Sequence, residues 1–328
     1  CQWPSGQVPC IAPTSVYGYN FQSGPTWDAA LVLIPWDLYR FYGDVSCLER
    51  YYPAMVRYLR YTEDISEDHI CRSGLGDFLP DESVEVCPDA MMLTGYVLRM
   101  TEILARIADI MDRPKDRDRF RASAREIKVA MKREFIGQCP ETQSYLSTAL
   151  YFGLADEEQL FAEKLNRKAV ERDFRSGGGI FSSTFIPEVL TQYGYFDTAF
   201  KIVTQDEFPG WTYMLKDGGN TLWEHWSGEQ GSLNHHMRSP IGAWFYKTLA
   251  GICIDDRNPG FRHTILRPHF TPHVTSLQAW HQTPYGKLEV SYDRDEYRVS
   301  VPSGTCATLY LGEKQYEIEG GRRFEVPR

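Results

Sequence analysis

Three features are missing from this sequence. It has no apolar run near the roughly 18 residues that a membrane-spanning helix needs, and its mean hydropathy is −0.41. It has no excess of positive charge, because 35 Lys and Arg residues stand against 44 Asp and Glu residues, for a net charge of −9. It also has no CxxC pair. These absences exclude a membrane-spanning helix and argue against nucleic acid or an anionic membrane as a partner, since both attract positive charge.

The cysteines and the common catalytic motifs exclude several further classes. Eight cysteines are scattered along 328 residues, and none stands at a metal-ligand spacing from a histidine, so no zinc site is expected. Small secreted domains that are held together by disulfide bonds have a much higher density of cysteine, so we expect buried free thiols here. There is no Walker loop and no GxSxG, and the glycine run at 177–179 lacks the spacing of a dinucleotide loop.

The sequence from residue 26 to residue 250 has mainly the periodicity of helices. After Pro88, apolar residues recur at helical spacing as far as Met111, which predicts one long amphipathic helix that ends before Pro114. A second helix follows with Asp116 as its N-cap, and the short link makes the pair an antiparallel hairpin. Such hairpins, joined by long loops rich in Gly, Asp and aromatic residues, predict an α/α toroid with its chemistry on the loops. The same pairing recurs at 28–42 with 48–61, at 145–152 with 156–170 and at 185–193 with 196–204.

After Cys253 the periodicity changes to the alternation of strands with one buried face. Five strands separated by Gly, Pro and Asp turns predict a small antiparallel β-sandwich. Asp, Arg, Asn and Pro cluster at 255–259, so we predict a helical domain at 1–254 and a β-sandwich at 255–328. The predicted inward-facing residues are Leu288, Val290 and Tyr292, then Tyr297, Val299 and Val301, then Ala307, Leu309 and Leu311, then Tyr316 and Ile318, then Phe324 and Val326.

The segment 211–236 concentrates the candidate functional groups. Glu224 follows Trp223 and precedes Trp226 by two positions, and the Gly-Gly-Asn run at 218–220 permits a backbone turn just upstream. A carboxylate framed by indoles suits a general base, because partial desolvation raises its basicity while the rings hold the apolar face of a sugar. A surface glutamate between two core tryptophans fits the same pattern, and the residues alone leave both interpretations open.

Other candidates are more isolated. Asp77 lies in a Gly-Leu-Gly-Asp-Phe loop, where a short carboxylate suits sugar hydroxyls, although Gly-Asp pairs are also common in turns. Trp27 is placed to stack on a ligand, whereas for the adjacent Asp28 we expect a helix cap. His235 and His236 stand at the head of a helix, where a neutral imidazole can bond to a hydroxyl. Adjacent side chains diverge, so we expect at most one of the two histidines to face a site.

Four stretches of the sequence resemble the catalytic domain of bacterial α-L-rhamnosidases, glycoside hydrolase family 78. They are GPTWDAALVLIPWDLYRFYGD, the GDFLP loop, FPGWTYMLKDGGNTLWEHW and SLNHHMRSPIGAWFYKTLAGI. The tail from PGFRHTILRP through TPYGKLEV resembles the C-terminal β-sandwich of that family. The resemblance implies an (α/α)6 toroid that removes terminal α-L-rhamnosyl units from rhamnosides with inversion of configuration.

The resemblance also implies roles for individual residues. Glu224 matches the glutamate that activates the water in that family, and His235 matches its sugar-binding histidine. Phe78 stands where the family often has Trp, which keeps an apolar ring but loses the indole donor. The substrate-binding positions on or beside the loops that line the family's pocket are Trp27, Asp77, Trp211 and Trp223.

One part of the family's pattern has no counterpart here. Family members carry an acidic segment of the DxPxRxERxGWxGD type upstream of the stretch that matches residues 6–13, and this segment supplies the general acid. An inverting hydrolase needs two carboxyl groups roughly 6.5 to 9.5 Å apart, and only the base is identified here. We therefore expect a partial chain, with its first hairpin and the general acid on a missing N-terminal segment of the same protein. No metal or organic cofactor is expected, because two carboxyls and a water suffice.

Two alternatives remain open. Another (α/α)6 glycosidase or lyase would share the fold, but a uronyl substrate calls for basic residues, and the loops singled out offer no cluster of them. A non-catalytic carbohydrate-binding protein would keep Trp27, Trp211 and Trp223 without needing a poised Glu224.

Overall fold

The computed structural model describes residues 1–14 and 23–328, without the side chain at position 217. One of the long loops predicted between the hairpins, GYNFQSGPTWD at 18–28, lies partly outside the described residues. The chain divides into two compact units. The domain boundary predicted at residue 254 stays a prediction. The helical unit comprises Cys1–Ile34 and Glu49–Ser239, and the sheet unit comprises Pro35–Leu48 and Pro240–Arg328.

Helices dominate the chain before residue 204, as the sequence predicts. The longest pair matches the predicted hairpin closely, and apolar residues at helical spacing, such as Leu93, Val97 and Leu104, are buried in its first helix. None of the helices in the part of the chain that the structure describes is long and apolar enough to cross a membrane. In chain order the helices are Pro25–Asp28, Ala30–Tyr42, Ser46–Asp64, Asp89–Ile110, Pro114–Phe135, Gln143–Tyr151, Glu158–Glu171, Ser182–Gln192 and Phe196–Val203.

Asp116 does not cap its helix, so this prediction is wrong. The helix starts at Pro114, a residue whose fixed φ suits a first turn, and Arg113 is its N-cap without a side-chain hydrogen bond. The Asp116 carboxylate instead accepts a hydrogen bond of 2.8 Å from the hydroxyl of Tyr52.

Asp28 does not act as an N-cap either. It is the last residue of the short helix that begins at Pro25, whose N-cap is Gly24. Its carboxylate accepts a hydrogen bond of 2.8 Å from the hydroxyl of Tyr58. Burial raises the pKa of the Asp28 carboxyl to about 6, and the bond from Tyr58 opposes that rise. Asp28 is therefore a half-buried acid inside the helical unit.

The single helix that the sequence predicts to begin at His235 and His236 changes type along its length. It begins as a 3-10 turn at His236–Arg238, continues as α-helix at Pro240–Trp244 and ends as π-helix at Phe245–Ala250. Gly251 ends it in the left-handed conformation with φ +76°, which glycine adopts at little cost. The prediction of a single helix is wrong here. A further 3-10 helix, Thr212–Gly218, precedes Glu224.

The sheet unit contains two four-stranded sheets. The strands are β1 Ser66–Glu67 and β2 Ile70–Cys71 in the helical unit, then β3 Ile252–Ile254, β4 His263–Leu266, β5 Leu277–Thr283, β6 Gly286–Tyr292, β7 Glu296–Ser300, β8 Cys306–Leu311, β9 Lys314–Glu319 and β10 Arg323–Pro327. One sheet has the order β10-β7-β6-β5 and is antiparallel throughout. The other has the order β3-β4-β8-β9, in which β4 and β8 run parallel.

One hydrophobic cluster joins the inner faces of these two sheets. Leu288 and Val290 from β6 pack in it with Ala307 and Leu309 from β8. The alternation predicted for β6 to β10 is therefore confirmed, whereas β3, β4 and β5 were not predicted.

None of the eight cysteines, all of which lie in the described residues, forms a disulfide bond. Cys71 and Cys87 are buried, and burial is the largest of the effects that raise the pKa of each thiol, to about 12 for Cys87. Cys1 and Cys306 are exposed, and the others are partly exposed. The expectation of buried thiols is therefore confirmed only for Cys71 and Cys87.

Candidate active site

Glu224 lies in an arm that folds back on itself between residues 221 and 235. The Glu224 N–H donates to the Ser232 carbonyl at 2.9 Å, and the His235 N–H donates to the Leu222 carbonyl at 2.8 Å. The Ser232 N–H in turn donates to Oε2 of Glu224 at 2.9 Å. The half-buried carboxylate is therefore fixed through one oxygen, while Oε1 accepts no hydrogen bond from the described residues. A carboxylate held in this way suits a base that receives a proton from water.

The two indoles on either side of Glu224 lie in different surroundings. The Trp226 side chain is 2% exposed and packs edge-to-face on Trp211, with 5.2 Å between ring centroids. Trp223 is half-buried, and its ring covers Gly228, where a β-carbon would come within 2.7 Å of ring atoms. Trp226 is thus a core residue, as one of the two open interpretations has it, and Trp223 keeps surface that a ligand can contact.

Trp211 is buried, and its indole donor is already used. Its Nε1–H donates to the carbonyl of Arg238 at 3.2 Å. The substrate contact predicted for Trp211 stays a prediction.

Asp77 is held by the protein itself. Its side chain is 2% exposed, and both carboxylate oxygens accept hydrogen bonds from the chain. An ionised carboxylate offers about four lone-pair sites, so these protein donors saturate it. The contact of Asp77 with a sugar hydroxyl stays a prediction, while its hydrogen bonds join its loop to the start of the helix Ser182–Gln192. The donors are the hydroxyls of Ser144 and Ser182 and the backbone N–H groups of Gly179, Phe181 and Ser182.

Trp27 and Phe78 belong to one aromatic cluster. The Trp27 ring meets Phe78 edge-to-face at 6.4 Å and Phe181 at 5.2 Å between centroids. Phe181 also packs on the buried Tyr96, at 5.2 Å. Phe78 is 39% exposed. The cluster therefore presents an apolar ring at the position where the family resemblance leads one to expect an indole.

His235 and His236 lie with their rings parallel. The centroids are 5.2 Å apart and the ring planes differ by 7°, so the expectation that the two side chains diverge is wrong. Nδ1 of His235 accepts a hydrogen bond of 3.2 Å from the N–H of Met237 and caps the 3-10 turn. In the neutral ring the hydrogen then sits on Nε2, which leaves a donor for a ligand hydroxyl.

Arg238 is a site residue that the sequence did not reveal. Its side chain is fully buried, with the guanidinium carbon 3.8 Å from the centroid of the Trp226 ring. Its Nη2 donates to the carbonyl of Leu79 at 3.0 Å and to the carbonyl of Glu224 at 3.4 Å. Nη1 donates to the hydroxyl of Ser183 at 3.5 Å. Arginine is mostly a surface residue, so no local pattern signals this burial.

A cleft of about 730 Å³ lies between the loop at 75–82 and the arm that carries Glu224. Asp77, Phe78 and Leu79 line it together with His225 and Trp226, whereas Glu224 itself is not among the described residues that line it. Its remaining carboxylates are Asp81, Glu82, Asp89 and Glu229, and no Lys or Arg is among the described residues that line it.

The structure therefore joins some of the predicted residues and not others. It joins Trp27 with Phe78, and it links Trp211 to Glu224 through Arg238. His235 shares the arm of Glu224. No group of three or more His, Cys, Asp or Glu side chains in residues 1–14 and 23–328 is arranged to hold a metal ion.

Two family models together match most of this chain. The bacterial alpha-L-rhamnosidase 6 hairpin glycosidase domain matches residues 1–249, and the bacterial alpha-L-rhamnosidase C-terminal domain matches residues 251–324. An alpha-L-rhamnosidase of Formosa agariphila is 28% identical over 330 residues, which cover 91% of this chain and 35% of that protein. An alpha-L-rhamnosidase of Streptomyces avermitilis is 27% identical over 309 residues, which cover 87% and 29%. The chain thus spans about a third of the length of these curated relatives.

Solved structures agree with the family models. The alpha-L-rhamnosidase from Dictyoglumus thermophilum matches with a TM-score of 0.89 and 24% identity, over 99% of this chain and 42% of that one. The Streptomyces avermitilis alpha-L-rhamnosidase complexed with L-rhamnose matches with a TM-score of 0.88 and 25% identity, over 99% and 35%. These matches confirm the predicted fold, a helical six-hairpin domain followed by a β domain. The chain belongs to the family of bacterial α-L-rhamnosidases with a six-hairpin glycosidase domain.

Proposed function

We propose that this chain carries the general base and part of the sugar pocket of an inverting α-L-rhamnosidase. The observation that carries the proposal is the Glu224 carboxylate, whose Oε2 is fixed by the Ser232 N–H while Oε1 is open. Membership of the family supports the sugar, and so does the L-rhamnose bound to the Streptomyces avermitilis relative. The substrate class is a glycoside with a terminal α-L-rhamnosyl unit.

In the proposed reaction Glu224 takes a proton from a water molecule. The water oxygen bonds to the anomeric carbon from the face opposite the leaving group, and the glycosidic C–O bond breaks. The leaving oxygen receives a proton from a second carboxyl group, and the configuration at the anomeric carbon is inverted. We assign only the base to this chain.

The sugar contacts are assigned by the chemistry of each side chain. Trp223 and Phe78 offer apolar ring surface for the carbon-bound hydrogens of the sugar. His235 offers Nε2–H to a hydroxyl. Trp27 supports the Phe78 ring. For Asp77 and Trp211 we propose an indirect part, because their polar atoms are already bonded to the protein.

The decisive experiment is hydrolysis of 2,4-dinitrophenyl α-L-rhamnoside by this chain and by its Glu224→Gln variant. So good a leaving group needs little help from a general acid, so the base is tested by itself. We expect turnover in the wild-type chain and a loss of about 10²-fold or more in the variant. Glu319→Gln is the matched control, because Glu319 is exposed on β9 of the sheet unit.

Each result has a defined meaning. Equal turnover in wild type and Glu224→Gln would remove Glu224 from the mechanism. Binding of L-rhamnose without turnover would favour a carbohydrate-binding protein. Where turnover occurs, proton NMR of the first product distinguishes the stereochemistry, and release of α-L-rhamnose would contradict inversion.

A further inference from the structure

Arg238 is fully buried, and Asp77 is the acidic group whose charge acts on it. Its guanidinium makes no salt bridge with any described carboxylate, and Nε has no hydrogen-bond partner there. Burial lowers the pKa of Arg238 to about 9, and the charge of Asp77 opposes that fall, so the side chain still carries its charge at neutral pH. A buried cation without a direct ion pair costs folding free energy. Such a residue suggests a task other than stabilising the fold.

The contacts of Arg238 show what it joins. A single nitrogen, Nη2, donates both to Leu79, in the loop at 75–82, and to the carbonyl of Glu224. Residues of both segments line the cleft. The Arg238 guanidinium also lies on the ring of Trp226, two residues beyond Glu224. Arg238 therefore links the backbone of the proposed base, Glu224, to the loop at 75–82 by hydrogen bonds.

Arg238 also bonds to the start of a helix. Ser183, at the start of the helix Ser182–Gln192, accepts from Nη1 of Arg238. The preceding Ser182 donates to the Asp77 carboxylate with both its hydroxyl and its N–H. Ser182 thus bonds to the buried Asp77, and Ser183 bonds to the buried Arg238. Asp77 lies two residues before Leu79, so Arg238 bonds to the same loop that carries Asp77.

We propose that Arg238 is a positioning residue, which holds the backbone of Glu224 against the loop at 75–82 and thereby fixes the position of the carboxylate. The proposal rests on the proposed function of Glu224. Arg238 is fully buried, so it acts on the base and not on the sugar. Its removal should therefore lower kcat and leave KM nearly unchanged, since misplacing a catalytic group by about 1 Å costs about 10²-fold in rate.

The test compares Arg238→Met and Arg238→Lys with the wild-type chain on the dinitrophenyl rhamnoside. Methionine keeps the contact with the Trp226 ring but has no N–H group, so we expect kcat to fall about 10²-fold and KM to change by less than about threefold. Lysine keeps the charge and reaches fewer acceptors, so we expect a fall of about tenfold. Arg298→Met is the control, because Arg298 pairs with Asp293 and Glu296 in the sheet unit.

Hydrogen exchange gives a readout that does not need turnover. In Arg238→Met we expect faster exchange in peptides covering 222–235 and 75–82, and unchanged exchange in the helix Asp89–Ile110. If Arg238→Met does not fold, Arg238→Lys carries both measurements.

The two proposals fail in different ways. If the wild-type chain is inactive but residues 222–235 exchange faster in the Arg238 variants than in the wild type, only the proposed function is contradicted. Unchanged exchange in that arm, or a loss confined to KM, would overturn the positioning role whatever the activity.

Discussion

Gly231 lies directly against the carboxylate of Glu224. A β-carbon at Gly231 would stand 2.6 Å from Oε2, the oxygen that accepts from the N–H of Ser232. Gly231 also has φ +73°, a left-handed conformation that other residues rarely adopt. The absence of a side chain at Gly231 is therefore part of what sets the position of the Glu224 carboxylate.

Replacing Gly231 with alanine should displace that carboxylate. The new methyl group cannot share the space with Oε2, so the carboxylate must move away from the Ser232 N–H. We expect Gly231→Ala to lower kcat on the dinitrophenyl rhamnoside by about 10²-fold, because the base is misplaced. Steady-state kinetics measure this.

Gly137→Ala is the matched control for this substitution. Gly137 has φ +77°, and no described atom lies within 4 Å of its β-carbon position. Both variants should therefore suffer a similar backbone strain of about 1–2 kcal/mol, while only Gly231→Ala should lose activity. An equal loss of activity in both would attribute the effect to strain and not to Glu224.

Asp77→Asn should destabilise the helical unit. The amide keeps one acceptor oxygen and replaces the other with an NH₂ group, which faces donors such as the Gly179 N–H and the Ser144 hydroxyl. Leaving such buried donors without an acceptor should lower the free energy of unfolding by about 2–4 kcal/mol. Urea denaturation measures this change.

The exposed Asp109 provides the comparison for Asp77. Asp109 pairs with Arg117 at 3.1 Å on the surface, where an ion pair contributes little. Asp109→Asn should therefore shift the urea midpoint far less than Asp77→Asn does. Similar shifts in the two variants would contradict the structural role of Asp77.

The elements that could be predicted are those whose pattern is local. The long helix was found because Leu93, Val97 and Leu104 repeat at helical spacing, and β6 because Leu288 and Val290 alternate with polar residues. Strand β5, Leu277–Thr283, was missed. Its outward-facing Trp280 is 52% exposed, so a large apolar residue sits on the wrong face and obscures the alternation.

In the site, too, only the residues with a local sequence pattern could be predicted. Glu224 was found because its neighbours in the sequence are indoles. Arg238 was missed because its acceptors, Leu79 and Ser183, are 159 and 55 residues away along the chain. The donors to Asp77 are equally remote, so its saturation could not be predicted from the Gly-Asp loop. Long-range contacts decide whether a polar residue faces a ligand or the core.

His235 and His236 can be separated by asparagine variants. Asparagine at 235 keeps an acceptor for the Met237 N–H and so preserves the cap, but it lacks the donor at Nε2. We expect His235→Asn to raise the Kd for L-rhamnose about tenfold, which is about 1.4 kcal/mol. Isothermal titration calorimetry measures it.

His236→Asn is the control, because His236 is exposed. The Kd of His236→Asn for L-rhamnose should stay within about twofold of the wild-type value, which is a change of about 0.4 kcal/mol or less in binding free energy. A larger effect at His236 than at His235 would transfer the sugar contact to His236.

Asp28→Asn should stabilise the protein at neutral pH. The folded-state pKa of about 6 lies above the ordinary value of 3.8, so between these values the folded protein binds more protons than the unfolded protein. The protonated Asp28 carboxyl therefore contributes its full share to the free energy of unfolding below pH 3.8, and this share is lost as the pH rises through 6. Two pKa units correspond to roughly 3 kcal/mol at most, and asparagine avoids this penalty while still accepting from Tyr58.

The pH dependence is the test of this explanation. We expect Asp28→Asn to raise the urea midpoint at pH 7.5, and we expect the gain to disappear at pH 4, where the wild-type acid is already neutral. Asp44→Asn should give no gain at neutral pH, because hydrogen bonds from Ser46 lower the pKa of the exposed Asp44. A gain from Asp28→Asn that is equal at pH 4 and pH 7.5 would show that ionisation of Asp28 is not its cause.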